Sequence, residues 1–208
     1  MSALMRVSSV VMRPPRAFGP ILAPMPARMF AALVPPPTVL VQLEEFIEVR
    51  READSRVRFV PIDSWHVTTA FAAAVASRNV DDLTEALVDV AGRTPPLDLT
   101  VGGGRCLPTP VEARVLAFGV GPSEQLGRLA ASCRTAFSHA GVAVDGARFV
   151  PHMTVARMRR PIEATPWLTV LDACPDASWR ADELVLIESH LRDTANRYEV
   201  VERFRFKG

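Results

Sequence analysis

One internal repeat constrains this chain more than any composition figure. The segments Trp65-His66-Val67-Thr68-Thr69 and Pro151-His152-Met153-Thr154-Val155 each carry a histidine and a threonine two residues apart, and the two histidines are separated by 86 positions. The same shift lays the run 28–34 (RMFAALV) over 114–120 (RVLAFGV), taking Arg28 to Arg114, Ala31 to Ala117 and Val34 to Val120. Self-similarity at a fixed offset implies two units related by a pseudo-twofold axis, each presenting equivalent side chains to a common cleft. Side chains alternate faces along an extended strand. Each segment therefore sets an imidazole beside a hydroxyl and sends Val67 or Met153 into the opposite layer.

Periodicity supplies the surrounding elements. After the strand-like run 28–34, Pro35, Pro36 and Pro37 stop the strand, and Val39, Leu43, Phe46 and Ile47 recur at helical spacing against Glu44, Glu45, Glu48 and Arg51. A strand pair is expected around 57–60 and 65–71. A helix opens at Asn79, with Asp82 three residues on in the manner of a capping box, and Val80, Leu83, Leu87 and Val90 form one face. Leu97, Leu99 and Val101 alternate with polar residues as a half-buried strand does. The second unit repeats the plan with a strand at 114–120, a helix face of Leu126, Leu129, Cys133 and Phe137, and extended chain over 148–156. Residues 184–191 and 198–206 close the chain as an antiparallel pair. The expected architecture is α+β: two pseudo-twofold-related lobes, each an antiparallel sheet with helices outside, the sheets facing a central groove.

Composition narrows the functional classes. The 208 residues suit one bilobal domain, read as 28–208, and the 49% hydrophobic and 23% charged content is that of a globular protein. Basic and acidic residues number 24 and 23, so no overall positive field marks a nucleic-acid binder. Lys207 is the only lysine, and the arginine abundance reads as genome-level base bias. Three cysteines at positions 106, 133 and 174 match no zinc spacing, which favours a reducing, cytoplasmic setting. Eight of the 18 prolines fall before residue 38 and the first acidic residue is Glu44, so residues 1–27 are read as a disordered leader. The apolar stretch 4–12 is broken by Arg6 and followed by Pro14, Pro15 and Arg16, which argues against a signal peptide. No apolar run is long enough to span a bilayer, and the lack of a heptad favours a monomer.

The duplicated motif suits a phosphodiester. Displacement at phosphorus needs a base for the attacking oxygen, an acid for the leaving oxygen, and donors for the non-bridging oxygens. Two imidazoles can do both proton transfers, because an unperturbed histidine titrates near pH ~6.5. Neither motif carries a carboxylate, which makes the pair a poor site for magnesium or calcium; no metal and no cofactor are expected.

These residues resemble the 2H phosphoesterases, a family defined by two His-x-Thr-x motifs, and most closely its RNA 2′,3′-cyclic phosphodiesterases, also called 2′-5′ RNA ligases. RMFAAL at 28–33, FVPIDSWHVTTAF at 59–71, ARVLAFGV at 113–120 and RFVPHMTVAR at 148–157 carry the resemblance, which spans roughly 28–206. It implies hydrolysis of a 2′,3′-cyclic phosphate on an RNA end or nucleotide to a 2′-phosphate. His66 would be the proton donor, His152 the proton acceptor, and Thr68 and Thr154 the ligands of phosphate oxygens. An arginine five residues after the second histidine, here Arg157, is implied in substrate binding, although period-2 geometry puts it on the opposite face unless the strand ends or bulges. Two positions depart from the family: Thr69 stands where an apolar residue is usual, and Asp193-Thr194-Ala195-Asn196 replaces a glycine-containing turn.

Rival readings are 2′-5′ RNA ligation, hydrolysis of another small cyclic phosphate, and a non-catalytic module that binds RNA ends. His139 is read as a helix C-terminal residue and His190 as an ordinary strand residue. Gly102, Gly103 and Gly104 are expected to form a bulge or turn rather than a phosphate cradle. Arg157, Arg159 and Arg160 form a basic cluster, read either as a solvated face or as a contact to RNA backbone. Phe30, Phe59, Trp65 and Phe149 are more readily core residues than base-stacking platforms.

Overall fold

Strand β1 (Ala27–Leu33) ends just before Pro35, Pro36 and Pro37, which cannot donate to a ladder. Pro37 then opens helix α1 (Pro37–Glu48) where a missing N–H costs nothing. The computed structural model describes residues 25–190 and 197–208. Most of the expected leader and the turn at 193–196 therefore lie outside the described residues. The remaining strands are β2 (Arg58–Phe59), β3 (Val67–Val75), β4 (Leu97–Leu107), β5 (Ala113–Gly121), β6 (His152–Ile162), β7 (Ala177–Ala181), β8 (Glu183–His190) and β9 (Arg197–Arg205). The remaining helices are α2 (Val80–Gly92), α3 (Ser123–His139) and α4 (Thr165–Asp172).

The fold is α+β, with two antiparallel sheets ordered β3-β1-β8-β9 and β2-β6-β5-β4-β7. The closing pair of strands is present as β8 and β9, whereas α4 and β7 have no counterpart in the sequence expectation. The strand pair expected at 57–60 and 65–71 does not form. β2 pairs with β6 and β3 pairs with β1, so these adjacent segments belong to different sheets. Trp65 marks the crossing: it is buried, and its indole N–H donates to the Val60 carbonyl at 3.2 Å. The helices are exchanged as well. α3 leaves β5 of the second sheet and packs on β3 and α2, whereas α1 leaves β1 of the first sheet and packs on β7 of the second. One apolar core consequently runs through both lobes, joining Leu33, Val67, Leu87 and Phe137 to Leu116, Phe118, Met153 and Trp179. A separate small cluster of Phe30, Ala32, Val185 and Ile187, with Phe71 and Tyr198, covers the groove face of the first sheet.

The repeat needs one correction. Leu33 pairs with Val67, and Phe118 pairs with Met153. The motif strands are thus offset by 86 but the strands beside them by 85, so Ala31 corresponds to Leu116 and Ala32 to Ala117. Burial agrees: Val34 is 39% exposed, whereas Val120, its counterpart under the uniform shift, is 5% exposed. A one-residue slip exchanges the two faces of a strand, and the similar runs of small apolar residues in both segments conceal it in the sequence.

Two smaller expectations resolve cleanly. Gly103, at φ +63°, sits in a β4 bulge between Gly102 and Gly104. The Gly104 N–H donates to Asp172 at 2.7 Å, so this glycine run is a packing device under α4. Asn79 does stand at the N-cap of α2, but its side chain donates to the Ala140 carbonyl at the C-terminal end of α3 at 2.7 Å rather than capping.

Candidate active site

The two motifs meet in a single pocket between the sheets. Ser64, His66, Thr68 and Tyr198 line it from the first lobe, and Val60, His152, Thr154 and Arg157 line it from the second sheet and its approach. All five residues singled out from the sequence are therefore brought together. Opposite Thr68 across the ladder stands Ala32, and opposite Thr154 stands Ala117. Directly opposed residues share a face, so each hydroxyl adjoins a methyl group, and room remains above it.

The histidines are held identically. His66 Nδ1 lies 2.7 Å from the Ser64 carbonyl and His152 Nδ1 lies 2.6 Å from the Val150 carbonyl. A carbonyl only accepts, so each Nδ1 carries a proton and each Nε2 is left free to accept or donate one. The two bonds are related by the motif repeat.

Both motifs also contain a bulge at the same place. In the second lobe Ala117 pairs with Thr154 and Leu116 with Ala156, leaving Val155 as the extra residue. In the first, Ala32 pairs with Thr68 and Ala31 with Ala70, leaving Thr69 extra. A bulge moves the alternation by one. This is why Arg157, three residues past Thr154, shares its face and lines the pocket, against the expectation for a regular strand. The bulge also accounts for Thr69. Its buried hydroxyl donates to the Ala31 carbonyl at 2.9 Å, at the point where the ladder is interrupted. The residue in register with Arg157 in the first lobe is Phe71, with Arg28 over its ring at 5.2 Å. The repeat therefore places a guanidinium in the pocket on the His152 side alone.

Sequence reasoning missed Tyr198. The only tyrosine of the chain, it contacts His66 edge-on with ring centroids 5.4 Å apart, while Phe30 stacks on His66 at 4.6 Å. No spacing rule reaches from β9 to residue 66; a lone tyrosine in the closing strand was the sole signal. Phe30 thus packs against an imidazole, while Phe59 packs on Trp167 and Phe149 on the main core. His139 ends α3, and His190 lies near Glu188 and Glu199 at 3.5 and 3.4 Å rather than lining the pocket.

Burial among these rings pushes His66 down to about 4, with the positive charges of Arg157 and His152 adding to it and the Ser64 bond opposing it. The unfolded histidine titrates near ~6.5, so the folded state's preference for neutral His66 is fully present above that value. It is lost as the pH falls through about 4. Urea titrations of the wild type and His66→Gln at pH ~7 and ~4.5 are expected to show the wild type losing about 2 kcal/mol more than the variant. Equal losses would mean that His66 is not held neutral.

A sequence model described as the 2′-5′ RNA ligase superfamily matches residues 35–193. An RNA 2′,3′-cyclic phosphodiesterase of Geobacillus stearothermophilus is 28% identical over 148 residues, 70% of this chain, and the chain spans only 46% of that protein's length. Among solved structures, TT0787 of Thermus thermophilus superposes with a TM-score of 0.70 at 22% identity, covering 87% of this chain and 98% of its own. LigT of E. coli in apo form gives 0.70 at 23% identity, covering 89% and 100%. The same protein complexed with 3′-AMP gives 0.68 at 23%, covering 88% and 99%. At these identities the solved structures establish the fold.

Proposed function

The chain belongs to the 2′-5′ RNA ligase superfamily, and from that premise we propose that it is a phosphoesterase hydrolysing a terminal 2′,3′-cyclic phosphate to a 2′-phosphate without a metal. The observation that carries this reading is the matched pair of Nδ1 anchors, which leaves two Nε2 atoms facing one pocket. His152 Nε2 takes a proton from water as the water oxygen bonds to phosphorus. The bond from phosphorus to O3′ breaks, and the proton on His66 Nε2 passes to O3′. Thr68 and Thr154 donate to the non-bridging oxygens, and Arg157 balances their charge. The Geobacillus relative named as an RNA 2′,3′-cyclic phosphodiesterase and the LigT complex with 3′-AMP support a nucleotide phosphate as the ligand.

His66 must be protonated to act as the acid, and its protein surroundings disfavour that form. A bound phosphodiester supplies the missing negative charge. The limb of the kcat/KM profile that reports His66 is therefore expected near pH 4, and the corresponding limb of kcat at higher pH. Histidine NMR titration with and without inorganic phosphate checks the same shift directly. A His66 signal that titrates at the same pH in both would overturn the charge compensation.

The deciding experiment is product analysis with a nucleoside 2′,3′-cyclic phosphate in the presence of a chelator. Formation of the 2′-phosphate alone is the expected result. A 3′-phosphate product or a chelator-sensitive rate would overturn the mechanism. RNA ends joined through a 2′-5′ linkage would show that the same two proton transfers serve ligation.

A further inference from the structure

The groove face of the second sheet carries one guanidinium that the proposed reaction does not use. Arg105 on β4 stands opposite Ala117 on β5, and Ala117 stands opposite Thr154 on β6, so the three share the face that holds the pocket. Gly119, opposite His152, is the next residue of β5 on that face. A methyl group on Gly119 would lie 3.1 Å from both Cζ and Nη2 of Arg105, and 3.1 Å from the Gly102 carbonyl oxygen. Cζ is ringed in its own plane by three nitrogens, so an atom meets it this closely only through the face. The guanidinium therefore lies flat on Gly119, whose Cα is about 5 Å across the ladder from that of His152, and any side chain there would push it off. Arg105 is exposed, makes no ion pair among the described residues, and donates one N–H to the Gly104 carbonyl at 2.8 Å. The first lobe has no such arrangement: Val34 takes the place of Gly119, and the buried Val185, opposite Ala32, takes the place of Arg105.

We propose that the outward face of this guanidinium is the platform on which the base of the substrate stacks, which makes Arg105 a specificity-determining residue. The inference rests on the phosphodiester reading of the pocket and adds the seat of a nucleoside ring to it. Direction is the first argument. Phosphorus keeps its bond to O2′ throughout the proposed reaction, so the sugar and base leave the line between the two imidazoles sideways. Val60 lines the pocket on the β2 side. On the β5 side the floor is Ala117 and Gly119, which offer nothing taller than a methyl group before Arg105. Orientation is the second argument. A phosphate is held by the edge of a guanidinium, where the N–H groups point, whereas a base stacks on its face. Here the edge runs along the sheet, with one donor turned to the Gly104 carbonyl, and the face is turned to the groove.

The test compares adenosine 2′,3′-cyclic phosphate with methyl riboside 2,3-cyclic phosphate, which has the same reacting group and no base, using the whole chain and its Arg105→Ala and Arg105→Lys variants. Wild type is expected to favour the nucleoside in kcat/KM by about tenfold, the effect of one stacked base. Both variants are expected to lose that preference, chiefly through KM, because lysine keeps the charge but has no plane. A preference retained by Arg105→Lys would overturn the platform and make Arg105 a point charge for a phosphate. Equal losses on both substrates would overturn it too, as would a wild-type ratio near one. Calorimetric binding of adenosine 3′-phosphate and methyl riboside 3-phosphate reads the same preference without turnover. If wild type turns over neither cyclic phosphate, the hydrolase reading fails, and a binding preference for the adenosine compound that disappears in both variants would still uphold the platform. A binding preference that survives in either variant would sink it.

Discussion

Replacing either pocket histidine with alanine is expected to lower kcat on a 2′,3′-cyclic phosphate by about 10²–10⁴-fold, the usual contribution of one positioned acid or base. Both imidazoles are anchored through Nδ1 on a carbonyl two residues earlier, so each loss removes a single Nε2 and leaves the backbone intact. The double variant should be little worse than the worse single one, because a proton relay missing one member is already broken. Single-turnover rates of the three variants check this, with KM expected to move far less than kcat. An alanine variant that keeps wild-type kcat would remove that histidine from the mechanism. Additive losses would mean that the two histidines act in separate steps.

Trp65→Ala is expected to cost about 3–5 kcal/mol of stability, the range for emptying a large aromatic site in a packed core. The side chain is 1% exposed and its indole N–H is bonded to Val60. It therefore ties the start of the first motif to the segment leaving the second sheet. Trp65→Phe retains most of the volume and loses the hydrogen bond, for about 1 kcal/mol. Urea unfolding of both variants measures the two parts separately. The loop that carries Ser64 and His66 begins at this tie, so Trp65→Phe should also lower kcat/KM more than a core substitution of equal stability cost in α3. Activity falling only in proportion to the folded fraction would confine Trp65 to the core.

The legible part of this protein was local in the chain. Alternation announced β4, short apolar runs announced β1 and β5, prolines marked the end of β1, and the paired His-x-Thr spacing picked out four of the pocket side chains. Other features escaped because their causes are not local. β2 is two residues long and takes its partner from the far half of the chain, so nothing near it in sequence told it apart from a hairpin with β3. Helices α1 and α3 are amphipathic in either lobe, and which sheet each covers follows from connections that cross between lobes. Tyr198 reaches His66 only because β9 closes the first sheet.

The α+β class, the twofold plan and the His-Thr pairs belong to the linear order of the residues, because each is written in a period of two residues, a helical period or a fixed repeat. The exchange of helices, the 85-residue offset of β1 to β5 and the bulges at Thr69 and Val155 arise only when the strands meet. A bulge is a mismatch between two strands and has no period of its own to read. On that mismatch depends the turning of Arg157 into the pocket.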